Sequence, residues 1–129
     1  LLTNSQMYES NHADVSYDEK NGILQVSLKS SIGSDEGLKT ELLHMASAVK
    51  QHSVKKVLIH NQDLSHPISA DLQSWAHLSI ELPLLQAGVD KIAIVKPDGH
   101  RSFALTNHHD HERKKYFPSE KEALNWLNE

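Results

Sequence analysis

Ten histidines and no cysteine stand in a chain of 129 residues. The side chains able to do chemistry are therefore imidazoles, carboxylates and hydroxyls, with no thiolate nucleophile and no Cys-based metal or disulfide framework. Two short stretches gather them: His60, Asp63, Ser65 and His66, then Asp98, His100, Arg101 and Ser102. Each stretch follows an apolar run that reads as a buried strand. In parallel sheets ligands collect beyond the carboxyl ends of the strands. These eight residues are candidate ligand or partner loops, suited to an anion or a polar head group. A Ser-His-Asp hydrolase is the other chemistry they could support, but no Gly-x-Ser-x-Gly elbow presents a serine. Ordinary polar turns are the stronger account of them.

The run His108-His109-Asp110-His111 is the densest cluster. On a helix His108 and His111 lie one turn apart and could share a metal, since neutral imidazole suits zinc, copper or nickel. His100 would lie about 16 Å from His111 at the α-helical rise, too far for the same ion. Two ligands do not make a closed site, so no metal and no cofactor is expected. The histidines bear instead on charge. With 13 Lys+Arg against 17 Asp+Glu the net charge is −4, and protonating about four histidines cancels it, which fits a pI near 6.2. That acidic balance excludes the basic stripe of a nucleic-acid binder.

The elements that must position these residues follow from periodicity. Residues 1–12 are polar and aperiodic, a tail or loose edge. Val15 and Tyr17 alternate with polar residues, as do Leu24, Val26 and Leu28. Asn21-Gly22 between them marks a tight hairpin turn. Ser34 caps a helix whose inner face is Leu38, Leu42, Met45, Ala46 and Val49, ending near His52-Ser53. Val57-Leu58-Ile59 and Ile92-Ala93-Ile94-Val95 lack alternation, as strands covered on both faces do. Between them Ser69 caps a helix carrying Leu72, Trp75 and Ala76, and Pro83 should kink or break it before Gly88. A short helix is expected around Phe103-Ala104-Leu105, a brief strand at Tyr116-Phe117, and a capping box, Ser119 to Glu122, opens a last helix with Leu124 and Leu127 inward.

The fold class is α/β: a single mixed, mostly parallel sheet with an N-terminal β-hairpin and helices packed on it. The order is β-β-α-β-α-β-α-β-α, one domain spanning 13–129. No apolar run approaches bilayer length, so no membrane insertion is expected. Leu1–Gln6 lack the basic region and apolar core of a signal peptide. The absence of an initiator Met suggests a trimmed product, and a cytoplasmic location is the default.

Three stretches resemble the STAS domain superfamily, in particular its SpoIIAA-like branch: Lys55–Ile59 leading to Asp63-Leu64-Ser65, Val89–Val95, and Tyr116-Phe117 followed by Glu122-Ala123-Leu124-Asn125-Trp126-Leu127. With the hairpin they span nearly all the chain from residue 13. The resemblance implies a non-enzymatic regulatory domain that binds a protein partner, often switched by phosphorylation at the start of the helix after the third strand. Ser69 holds that position as phospho-acceptor or plain helix cap. Where the phosphorylated pattern is Asp-Ser-Ser-Gly, this chain reads Ile68-Ser69-Ala70-Asp71, and Asp71 would repel a phosphate. The branch also resembles the CRAL-TRIO fold, which implies a carrier or sensor of a small apolar, lipid-like ligand beside the second helix. Pairing with a second copy as a homodimer is a further expectation, since small domains with open sheet edges often associate.

Overall fold

The computed structural model describes residues 4–9, 12–96 and 112–129. The elements run β1 (Asn4–Glu9), β2 (Ala13–Asp18), β3 (Ile23–Leu28), α1 (Asp35–Gln51), β4 (Lys56–His60), α2 (Ala70–Ala76), a π turn (His77–Glu81), α3 (Leu82–Gln86), β5 (Lys91–Val95), β6 (Lys114–Phe117) and α4 (Glu120–Leu127). The strands form one sheet in chain order, β1-β2-β3-β4-β5-β6. The β2–β3 hairpin is antiparallel, and β3 to β6 are parallel. β1, from the segment read as tail or loose edge, adds an antiparallel edge strand with a register shift between Gln6 and Tyr8. The α/β class and the mixed sheet with its opening hairpin are as the periodicity implies. The expected helix around Phe103–Leu105 lies outside the described residues.

Side-chain alternation divides the core in two. Leu24, Val26, Val57, Ile59, Ile92 and Ile94 face α1, α2 and α3, and Leu38, Leu42, Met45, Val49, Leu72, Ile80, Leu84 and Leu85 close over them. Ile23, Leu58, Ala93 and Val95 face the other way, against Ala123, Trp126 and Leu127 of α4. β4 and β5 are thus covered on both faces, which is why their sequence is a continuous apolar run. Leu124 is only partly buried beside this second cluster.

Local chemistry sets the boundaries. The hairpin turn is four residues long, not the two that Asn21-Gly22 suggested, because Asp18 pairs with Ile23. The Asp18 carboxylate accepts from the Lys20 and Asn21 amides and the Asn21 side chain, and Gly22 supplies φ +69°. α1 ends on His52. Ser53 then takes φ +53°, the left-handed position usually left to glycine, and Val54 donates back to the Val49 carbonyl at 3.1 Å. In the last helix the Ser119 hydroxyl accepts from the Glu122 amide and donates to the Glu122 carboxylate. That is a capping box with the carboxylate turned to the hydroxyl.

Pro83 stands in a run that stays helical from α2 through the π turn into α3, where the sequence predicts a kink or a break. It has no N–H to give, and its ring would press on the carbonyl one α-turn earlier. The chain widens just before it, so that the Leu82 amide reaches the His77 carbonyl five residues back. α3 then resumes for five residues. The Arg113 guanidinium donates to the Leu85 and Val89 carbonyls beyond it.

Candidate functional site

Both α1 and α2 begin at the rim formed by the carboxyl ends of β3 and β4. Ser34 Oγ accepts from the Gly37 amide at 3.0 Å and Ser69 Oγ from the Leu72 amide at 3.1 Å. Each cap satisfies an amide the helix itself cannot. The loop between β4 and α2 is rooted by Leu64 and Ile68, both buried, and closed by the Leu64 amide on the Asn61 carbonyl at 3.1 Å. It is braced against the neighbouring loop as well. His66 Nε2 sits 2.6 Å from Asp35 Oδ1 at the first residue of α1, and Ser65 Oγ donates to the Ser30 carbonyl at 3.4 Å. Asp63 and Ser69 are exposed on this rim.

His60 does not join them. It ends β4 on the side that Leu58 faces, and its Nε2 lies 3.4 Å from Glu120 Oε1 at the start of α4. The four residues of the first candidate loop therefore divide: Asp63, Ser65 and His66 go with α1, and His60 with α4. The second candidate loop, Asp98, His100, Arg101 and Ser102, lies outside the described residues, as do His108 and His111. Among the described residues no group of three or more His, Asp or Glu side chains is arranged to hold a metal ion.

Chemically, Asp35 orients the His66 imidazole as an acid would orient a catalytic base. The adjacent Ser65 hydroxyl donates to the Ser30 carbonyl and not to His66 in this bond. No helix among the described residues is long and apolar enough to cross a membrane.

Behind the rim lies a cluster that sequence reading missed. Lys114, at the start of β6, is fully buried. Its Nζ is 2.6 Å from Glu81 Oε1, 3.2 Å from His77 Nδ1 and 5.1 Å from the centre of the Tyr116 ring. Glu81 and His77 occupy the two ends of the π turn, with His77 Nδ1 3.7 Å from Glu81 Oε1. A lysine ammonium has only hydrogens to offer, so a Lys114–His77 hydrogen bond requires His77 Nδ1 as acceptor. π turns occur often at functional sites, and here the widened turn carries both partners of the buried lysine. Glu81 also lines a small cavity of about 40 Å³ between the sheet and α1 and α2, together with Asn61, Gln73 and Tyr116 and a wall of leucine and isoleucine. Two signals pointed that way in the sequence: the i, i+4 pair His77 and Glu81, and Pro83 just beyond. Nothing marked Lys114, which sits in the basic run Arg113-Lys114-Lys115.

No protein-family model matches this chain, and neither a curated protein nor a solved structure matches it.

Proposed function

We propose that this chain is a non-enzymatic, STAS-like regulatory domain of the SpoIIAA-like kind, which binds a protein partner through the rim carrying Asp63, His66 and Ser69. The observation that carries the reading is the bracing of that rim. The β4–α2 loop is anchored by two buried side chains and tied to α1 by the His66–Asp35 contact. It therefore presents Ser69 at a fixed helix start, with little ordering left to do on binding. The parallel strands following in chain order behind a hairpin agree with the resemblance. As phospho-acceptor, Ser69 would have to exchange its capping bond for a phosphate facing the same amides, with Asp71 opposing the change.

The carrier reading has one observation in its favour, a cavity beside α2 where it would require one. At about 40 Å³ that cavity falls well short of the roughly 300–1,000 Å³ of ordinary ligand pockets, and partner binding is the better-supported function.

Site-specific photo-crosslinking in cells tests the choice. A photoreactive residue at Asp63 is expected to trap one discrete protein partner, and the same residue at Asp90, beyond the opposite ends of the strands, is expected to trap none. Equal trapping at both positions, or none at either with a lipid retained in native mass spectrometry, would sink the proposal. Intact-mass measurement of the cellular protein and of Ser69→Ala reports whether Ser69 carries phosphate.

A further inference from the structure

Independently of that reading, we propose that Asn21 is a site of spontaneous deamidation, which the β2–β3 turn holds in check through Asp18. Asn21-Gly22 is the single Asn-Gly step in the sequence. Glycine has no Cβ to shield its amide nitrogen, so the Gly22 nitrogen can attack Asn21 Cγ. A five-membered imide forms as the Cγ–Nδ2 bond breaks, and the proton lost from the Gly22 amide departs on ammonia. Water then opens the imide to aspartate or isoaspartate, and no other reactant is needed. Asn21 is exposed to that water. Space around the nucleophile is open as well, since even a Cβ at Gly22 would meet only the Tyr17 hydroxyl, at 3.9 Å.

The turn engages both reacting groups. The Gly22 amide donates to the Asp18 carbonyl at 2.8 Å, which retains the proton that attack must release. Asn21 Nδ2 donates to Asp18 Oδ2 at 2.8 Å. The other carboxylate oxygen accepts from the Lys20 and Asn21 amides at 3.1 and 3.3 Å. Hydrogen bonds to a carboxylate are among the stronger ones. The bond from Nδ2 strengthens the resonance of the side-chain amide and makes Cγ less open to attack. Any swing of the carboxamide toward the Gly22 nitrogen also costs that bond. Conversion would leave an acid where Asn21 now donates to Asp18, and like charges at that range repel. Isoaspartate would also add a methylene to the main chain inside the turn that pairs Asp18 with Ile23.

The full chain, incubated at neutral pH and then digested and mapped for aspartate and isoaspartate at residue 21, tests this. Asp18→Ala is expected to convert about tenfold faster than wild type, the rate equivalent of one hydrogen bond to a charged group. Ser119→Ala, which loses the cap of α4 and keeps Asp18, is expected to convert as wild type does. Conversion in Asp18→Ala no faster than in wild type would overturn the proposal. So would equal acceleration in Ser119→Ala, because a loosened fold alone would then set the rate. Should Asp18→Ala fail to fold, wild type in buffer against wild type in urea decides: a slower folded chain supports the proposal, and equal rates overturn it.

Discussion

Two polar contacts of the same length hold this molecule together in different ways. His66 and Asp35 meet at 2.6 Å on the rim, with side chains 19% and 55% exposed; Lys114 and Glu81 meet at 2.6 Å beneath the helices, at 0% and 8%. The first pair is still reached by water on its Asp35 side, which weakens the contact, and side-chain entropy offsets more of it. The second has lost its hydration, so each charge depends on the other. Distance is equal and burial is not, and burial sets the weight. The rim contact adds little free energy of its own, and the loop it braces is rooted by the buried Leu64 and Ile68. The buried one fixes the π turn against β6.

The sharpest way to break that comparison is Glu81→Ala. It strands the Lys114 ammonium in the core and should cost about 3–5 kcal/mol, read as a large fall in the urea midpoint. Replacing the pair together, Glu81→Leu with Lys114→Met, should recover most of that loss, because an apolar pair of similar volume is often neutral or better. A double variant as unstable as the single one would mean that His77 and Tyr116 need the lysine for reasons beyond charge. Ser69→Ala removes a cap without touching either pair and should cost about 1 kcal/mol. Smallest of all, Asp35→Asn should cost below about 1 kcal/mol, and that cost should fade as salt is raised. If Asp35→Asn destabilised as much as Glu81→Ala, the contrast between the two pairs would be wrong.

The same contrast explains how far the sequence could be read. Period-two and helical spacing depend on local geometry alone, so the hairpin, α1, the β4 and β5 runs and the three serine caps were legible. His60 and His66 looked like one loop set because they are close in sequence. Yet alternation along β4 turns His60 towards α4, while the loop beyond carries His66 to α1. Lys114 was illegible for a related reason. Its partners come from the π turn, brought to β6 by tertiary packing, and a basic triplet by itself signals surface. β1 was missed because Asn4–Glu9 lacks an apolar alternation and pairs through its backbone. The cavity at Asn61 belongs to no single segment, and Asn61-Gln62-Asp63 reads simply as a turn.

The π turn also settles a matter of phase. Leu72, Ala76, Ile80 and Leu84 are spaced four residues apart, and all belong to the cluster facing the sheet. At 3.6 residues per turn, each four-residue step overshoots by about 40°, so three steps would swing the stripe about 120° off the sheet. One widened turn absorbs much of that overshoot. The interruption brought on by Pro83 thus acts as a rotational correction, without which the second half of the helix would point its leucines at solvent.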